Sequence, residues 1–247
     1  MSNARINLFW LIIFGATLPL GVVLSTHLAR RSFEKVKLRG QTITVKGYAE
    51  QRITSDLAMW SARVSVDDPD RTTAYKNLER DRTLLLDYLE GNGFGADRVD
   101  FSPVGISSTR KLDEDGDRTN EIDFYTVSQR FSIESEDVAR VSRLAKESSS
   151  LIARGVALDA DSPRYLYTQL DAMKLEMIAR ATANARQRAL RLVDGSGNGL
   201  GPLRSASQGV FQITPAYSTE VASYGYNDTS SIDKAIKAVV TVEYAIQ

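Results

Sequence analysis

The sequence predicts an α+β fold with largely antiparallel sheets packed against helices, preceded by one N-terminal transmembrane helix. Three observations support this prediction. An uncharged apolar segment runs from Ile6 to Thr26. Segments with alternating apolar residues occur in pairs joined by hairpin-length links, and segments with helical periodicity separate these pairs. Strand pairs interleaved with helices are typical of antiparallel α+β domains.

Residues 1–31 are predicted to form a membrane anchor, and residues 32–41 a basic linker to a domain at 42–247. The uncharged run from Ile6 to Thr26 is about 21 residues long, and about 20 apolar residues in a helix span the hydrocarbon core of a bilayer. The alternative is a signal peptide cleaved near Val23–Ser25. We expect the segment to be retained, which gives a single-pass membrane protein.

The basic residues around this segment conflict with an extracytoplasmic location of the domain. Only Arg5 and the amino terminus precede the segment, whereas Arg30, Arg31 and the basic side chains of the linker follow it. Taken literally, the positive-inside rule would place the domain in the cytoplasm. We nevertheless expect the domain to be extracytoplasmic, because residues of the domain resemble a known family, as described below.

The apolar patterns of the domain predict an ordered series of strands and helices. In chain order, these are strands at 42–49 and 57–66, a helix at 70–90, strands at 99–108 and 122–133, a helix at 136–148, a strand at 156–160, a helix at 165–193, and strands at 203–214 and 236–246. Asp115–Gly116 predicts a hairpin turn, and Gly91–Gly93 and Asp194–Gly197 predict helix ends.

The helix at 165–193 is expected to lie close against a sheet, because its apolar face is rich in alanine. The residues expected to be buried are Leu170, Met173, Met177, Ala181, Ala185, Ala189 and Leu192. The basic residues expected to point outward are Lys174, Arg180, Arg186, Arg188 and Arg191.

The composition excludes several classes of function. No cysteine is present, so disulfides, thiolate metal sites and cysteine nucleophiles are ruled out. The single histidine, His27, borders the apolar segment, so the domain has no histidine base or ligand. Residues 1–31 contain three basic and no acidic residues, so the rest of the chain carries a net charge of −3. A mildly acidic domain has little attraction for nucleic acid. We predict no cofactor, no metal site and no catalytic residues.

Three motifs could carry chemistry, but each has a simpler structural interpretation. The glycine-rich segment Gly195–Gly201 follows a helix and precedes a strand, the reverse of a phosphate-binding loop. The acidic cluster Asp113–Asp117 lacks the register of a calcium loop and is expected to form a solvated hairpin tip. Glu134 and Glu136 stand at a strand-to-helix junction, where helix capping is favoured over acid–base catalysis.

A candidate contact surface lies in the segment Pro215–Ser231. It contains Tyr217, Tyr224 and Tyr226 among serine, glycine and asparagine residues. Tyrosines in such surroundings are typical of adaptable contact surfaces. A mobile hairpin loop explains the same composition equally well.

Four segments together resemble the SIMPL-domain family. They are Ile43–Glu50, the strand Tyr125–Phe131, the helix Ala181–Ala189 ending at Gly199–Gly201, and the closing strand Val240–Tyr244. The resemblance covers residues 42–246. It implies an α+β protein of the bacterial envelope that forms large, ring-like homo-oligomers and has no established catalytic residues.

The resemblance and the anchor lead to one principal functional hypothesis. We expect a non-catalytic homo-oligomer, anchored in the bacterial inner membrane with its domain in the periplasm or outside the cell, and related to the envelope or to stress. The alternative is an extracytoplasmic ligand- or protein-binding module, monomeric or a small oligomer, that uses the three tyrosines.

Overall fold

The structure is a computed structural model that describes residues 25–26, 41–220 and 222–247. Nearly all of the predicted anchor and of the basic linker lies outside the described residues, so the transmembrane helix stays a prediction. None of the helices in the described ranges combines the length and the apolar character needed to cross a bilayer. Described residues 41–49, 175–210 and 238–247 form one compact unit, unit 1, and 50–174, 211–220 and 222–237 belong to another, unit 2.

The described strands and helices confirm the α+β prediction. The strands are β1 (Thr42–Thr54), β2 (Leu57–Asp68), β3 (Val99–Phe101), β4 (Gly105–Leu112), β5 (Arg118–Ser135), β6 (Leu158–Ala160), β7 (Arg164–Leu166), β8 (Leu200–Gln208), β9 (Gln212–Pro215), β10 (Tyr226–Asn227) and β11 (Asp233–Ile246). The helices are α1 (Arg71–Gly91), α2 (Val138–Glu147), α3 (Ser149–Ala153) and α4 (Leu170–Asp194). β2 pairs antiparallel with β5, β6 and β7, β5 also with β3 and β4, and β11 with β8 and β9, whereas the short pair of β10 with β9 is parallel.

In unit 1, α4 lies on one face of a sheet that contains β1, β11 and β8. β11 pairs with β8 from Val240↔Gln208 to Ile246↔Leu200, and β1 is its other neighbour in the sheet. The predicted alternation in β11 is confirmed, since Val240, Val242 and Tyr244 are buried while Val239 is exposed. Val240, Val242 and Tyr244 therefore share one apolar face, although Lys234, Ala235 and Ala245 of β11 are buried as well.

The approach of α4 to β1 is close because the contact residues are small. A Cβ atom added to Gly47 would lie 2.0 Å from the carbonyl oxygen of Ala181 and 2.7 Å from the Cβ of Ala185. Asn184 Oδ1 accepts a 3.1 Å hydrogen bond from the Tyr48 amide, and Arg188 donates one of 3.0 Å to the Lys46 carbonyl. Glycine in the strand and alanine in the helix thus permit contact between the two backbones.

In unit 2, α1 and α2 cover one face of a sheet in which β5 and β2 are the central strands. Trp60 and Phe131 meet edge to face, with ring centroids 5.3 Å apart. Leu78, Leu85 and Leu89 of α1 are buried against this layer. These residues bury the alternate side chains of both strands, as the period of two in their sequences predicts.

The ends of α1 follow the predicted signals. The Asp70 carboxylate accepts a 2.8 Å hydrogen bond from the Thr73 amide, which caps the first turn. At the other end, Gly93 has a φ of 85° and Phe94 donates to the Leu89 carbonyl over 2.9 Å. A left-handed residue is needed there to turn the chain out of the helix.

Two predicted strands are each divided in the structure. The segment 99–108 forms β3 and β4, which are separated at 102–104. The Ser102 amide still donates to the Arg130 carbonyl over 2.9 Å, but Pro103 has no amide hydrogen to donate. The segment 203–214 forms β8 and β9, which are separated at Gly209. Alternation of apolar residues does not reveal such breaks, since the pattern resumes beyond each of them.

The predicted start of the long helix and part of its buried face were wrong. Residues 164–166 form β7, which pairs with β2, so α4 begins only at Leu170. Leu192 is 58% exposed and Val193 is buried in its place. The buried stripe advances in steps of four residues from Met177 to Val193. Each step turns about 40° around the helix, which carries the stripe away from Leu192.

Candidate interaction surfaces

The three tyrosines of the predicted contact surface are all exposed. Tyr217 and Tyr224 have 82% and 86% of their surface accessible, and Tyr226 has 38%. The Arg52 guanidinium lies 4.7 Å from the centre of the Tyr217 ring, and its Nη1 is 3.5 Å from the hydroxyl. Tyr226 belongs to β10, so the segment is not wholly a loop. Arg52 therefore orients one of the tyrosines.

Buried polar groups hold the segment that carries these tyrosines. The Asp228 carboxylate accepts hydrogen bonds from the amide and hydroxyl of Ser230, at 2.9 and 2.7 Å, and from those of Ser231. The Lys234 ammonium, 1% exposed, donates to the carbonyls of Tyr165, at 2.9 Å, and of Asp228, and lies 3.8 Å from the Asp228 carboxylate. Gln212 adds two hydrogen bonds to the backbone of Ala222.

This environment changes the pKa values of Asp228 and Lys234 through different causes. Burial alone would raise the pKa of Asp228, but hydrogen bonds from Ser231 and Ser230 and the charge of Lys234 together lower it. Burial lowers the pKa of Lys234, while Asp228 opposes that change. A buried ion pair is stable only when its remaining hydrogen-bonding groups are satisfied, and here serines and carbonyls satisfy them.

An open groove of about 690 Å³ adjoins Tyr217. Tyr165, Pro215 and Ile232 supply much of its apolar lining, with Lys146 and Asp233 among its charged residues. An apolar groove with a few polar groups has the composition of a site for a small ligand or a peptide. The structure thus places one of the predicted contact residues, Tyr217, in a concave surface.

A second exposed surface is the β-ribbon, which comprises β4, the turn at 113–117 and the first part of β5, 118–124. All eight residues of β4 are exposed. Ile106, Leu112 and Ile122 have 46%, 63% and 42% of their surface accessible. The hairpin turn is confirmed, since the Asp113 amide donates to the Asp117 carbonyl over 2.9 Å and Gly116 has a φ of 86°.

The exposed apolar residues of the β-ribbon continue the core face of the sheet. Ile106 pairs directly with Val127, which is fully buried, and Ile122 pairs with Arg110. Ile106, Arg110 and Leu112 are alternate residues of β4, and the register with β5 shifts between Thr109 and Arg110 and again between Arg110 and Leu112. Among the described strands, neither edge of the β-ribbon pairs beyond β4 and β5 until Tyr125 meets β2. The sequence predicts the hairpin but not the exposure of these apolar residues.

A cluster that contains a serine and a carboxylate lies on the solvent face of β2 and β5. Ser61 donates a 2.7 Å hydrogen bond to Asp161, and Arg130 forms an ion pair with the same carboxylate. The hydrogen bonds from Ser61 and Arg130 lower the pKa of Asp161. A general base works best with a pKa near the operating pH, so this carboxylate has the properties of an ion-pair partner.

The acidic motifs occupy structural positions. Asp113 Oδ1 accepts hydrogen bonds from the amides of Asp115, at 3.1 Å, and Asp117, at 2.8 Å, which stabilises the hairpin tip as expected. The capping prediction for Glu134 and Glu136 was wrong, because Asp137 caps α2 by accepting from the Arg140 amide at 3.0 Å. Ser135 orients this cap by accepting from the Asp137 amide. The described residues contain no group of three or more potential metal ligands.

The glycine-rich segment after α4 ends the helix, as predicted. The Ser196 amide donates to the Val193 carbonyl over 2.9 Å, and Gly197 has a φ of 73°. β8 follows at Leu200, so a strand and not a helix N-terminus comes after the glycines.

Comparison with known proteins agrees with the α+β architecture and with the resemblance carried by these strands and helices. Residues 43–244 match the SIMPL family, which is described as a protein of unknown function (DUF541). A search of curated proteins found no match. Because the family match covers most of the chain, including both compact units, the chain belongs to the SIMPL family.

Proposed function

We propose that this chain is a non-catalytic, membrane-anchored protein that assembles with copies of itself into a large ring-like homo-oligomer. The observation that supports assembly most directly is the β-ribbon. It exposes an apolar face through Ile106, Leu112 and Ile122. It also has strand edges without partners among the described strands. A two-stranded hairpin is marginally stable in water when it stands alone, and exposed strand edges are templates for pairing with another chain.

The size of the β-ribbon limits how strong a single contact can be. The eight residues of β4 extend over about 27 Å at about 3.4 Å per residue, and two strands are about 10 Å wide. One face therefore covers about 270 Å², so a contact between two copies buries about 540 Å². Stable interfaces bury about 1,200 Å² or more. The β-ribbon contact must act together with other contacts in a closed assembly.

Membrane anchoring supplies a reason why weak contacts suffice. Tethering through Ile6 to Thr26 would confine the copies to one bilayer and raise their effective concentration. We place the anchor in the bacterial inner membrane and the domain in the periplasm or outside the cell, as the resemblance implies. The basic residues that follow the anchor oppose this orientation under the positive-inside rule, so orientation requires its own test.

The absence of enzymatic activity is part of the proposal. It is supported by the lowered pKa of Asp161, and by the structural roles of Asp113 and Asp137 as turn and helix caps. The family description names no activity.

The alternative function is ligand or protein binding by a monomer or small oligomer. It is favoured by the groove of about 690 Å³ beside Tyr217 and by the exposure of Tyr224. This alternative predicts that replacement of Tyr217 and Tyr224 by alanine abolishes capture of the partner without changing the mass of the protein.

The decisive experiment is the protein mass of the full-length chain in mild detergent, measured by light scattering and corrected for bound detergent. We expect a mass of many protomers for the wild type. Leu112→Lys should lower it, because a charge on the apolar face opposes burial. Ile152→Lys is the matched control, since Ile152 is 56% exposed on α3, outside the β-ribbon. A monomeric wild type would reject assembly and favour the binding module.

A further inference from the structure

The exposed side of α4 carries an unusual concentration of positive charge. Between Met177 and Val193 the helix contains four arginines and no acidic residue. Arg180 pairs with Glu176, and Arg188 donates to the Lys46 carbonyl. Arg191 is exposed and forms no hydrogen bond or ion pair with any other described residue. Among the described residues of unit 1, Arg191 is thus an exposed guanidinium without an acidic partner.

The same side of α4 contains an apolar groove. A depression of about 420 Å³ is lined by Gln187, Arg188, Arg191 and Leu192. Leu192 is 58% exposed, although its helical position had suggested burial. An exposed leucine beside two arginines forms a surface that suits an apolar side chain flanked by acids. We call these four residues the α4 groove.

The tip of the β-ribbon has the complementary chemistry. Residues 113–117 contain four acidic side chains and no basic one. Leu112 stands directly before them and is 63% exposed. Across 110–123 there are six acidic and three basic residues, and one of the basic residues, Lys111, already pairs with Glu121 at 3.1 Å. The tip therefore carries excess negative charge beyond Leu112, at residues 113–117. On the face of Leu112 itself, Arg118 is its cross-strand partner and Arg110 lies two residues before it.

We propose that the tip of the β-ribbon of one copy docks in the α4 groove of a second copy. Leu112 would contact Leu192, and acids of the tip, among them Glu114, would face Arg191. This inference rests on the proposed self-assembly and specifies the surfaces that perform it. Opposite charges on the two surfaces set the register of the contact and disfavour tip-to-tip or groove-to-groove pairing.

The contact joins two different surfaces, so it is heterologous. Each copy carries one tip and one groove, and each can therefore bind two neighbours. Heterologous contacts generate a ring when the rotation between neighbours closes, and an open filament when it does not. This arrangement accounts for many protomers in one assembly without a second type of subunit.

The inference is tested by charge reversal in the full-length protein in mild detergent. Light scattering over a dilution series gives the concentration at which half of the assembly has dissociated. We expect Arg191→Glu and Glu114→Arg each to raise this concentration about tenfold, because like charges then face each other. The double variant Glu114→Arg/Arg191→Glu should return it to near the wild-type value, since the attraction is restored with its signs exchanged.

Matched controls separate a specific contact from a change in net charge. Arg186 lies on the same helix, about 140° around the axis from Arg191, and Arg186→Glu should leave dissociation unchanged. Asp87 is exposed on α1, and Asp87→Arg is the control for Glu114→Arg. The inference is overturned if wild type assembles and Arg191→Glu behaves like Arg186→Glu, or if the double variant shows no recovery. A monomeric wild type would instead reject the proposed function.

Discussion

Lys234 provides a direct test of how the tyrosine-bearing segment is held. Its ammonium donates to the carbonyls of Tyr165 and Asp228 and faces the Asp228 carboxylate. Replacement by methionine retains an unbranched apolar chain but removes all three interactions. Two carbonyl oxygens and one carboxylate then lose a partner in a site where the lysine side chain was 1% exposed.

The expected loss follows from the burial of the pair. Removing one partner of a buried ion pair destabilises a protein by about 3–5 kcal/mol, because the remaining charge stays desolvated. Serine hydrogen bonds to Asp228 persist in the variant, so we expect about 3 kcal/mol, at the lower end of that range. The double variant Lys234→Met/Asp228→Asn should recover part of this loss, since no buried charge then remains.

The assay is urea unfolding of the full-length protein in mild detergent, followed by tryptophan fluorescence. Trp60 is 1% exposed and packs against Phe131, so its emission reports on the core of unit 2. The linear dependence of unfolding free energy on urea gives the difference between variants. Lys146→Met is the control, because Lys146 is exposed. A loss for Lys234→Met no larger than that of the control would refute the reasoning.

Three further predictions concern packing, pH and helix capping. Gly47→Ala should lower the unfolding free energy by about 2 kcal/mol or more, because the added Cβ would lie 2.0 Å from a carbonyl oxygen. Gly47 lies in unit 1 and Trp60 in unit 2, so urea unfolding is followed here by far-ultraviolet circular dichroism, with Gly91→Ala, which has open space around it, as the control. The lowered pKa of Asp228 contributes stability above about pH 4 that is lost as pH falls through its folded value, so Asp228→Asn should flatten the acid limb of a stability–pH curve. Asp70→Ala should cost about 1 kcal/mol in urea unfolding, through loss of the α1 cap.

Local sequence patterns predicted much of the fold correctly. The alternation in β11 and the glycine after α1 appear in the structure where the sequence places them. These features depend on periodicity and on backbone conformations that few residues adopt, so neighbouring residues suffice to identify them. The breaks at Ser102–Val104 and Gly209 were missed, because there the backbone departs from a ladder that only the partner strand defines.

The exposure of the β-ribbon could not be read from apolar periodicity. Ile106, Leu112 and Ile122 resemble core residues in sequence, yet all three are exposed. Whether such residues are covered depends on which other elements lie over them. The one available signal was the polar composition of β4, in which serine, threonine, lysine and arginine outnumber apolar residues.

The sequence by itself determined the α+β class, the turn at Asp115–Gly116 and the exclusion of cysteine and histidine chemistry from the domain, because these depend on residue identity and local geometry. Only the tertiary structure decided that Leu192 and Leu112 are exposed and that Lys234 is buried against Asp228. The physical reason is that burial and charge pairing depend on residues distant in sequence. The surfaces proposed for assembly could therefore be identified only from the folded structure.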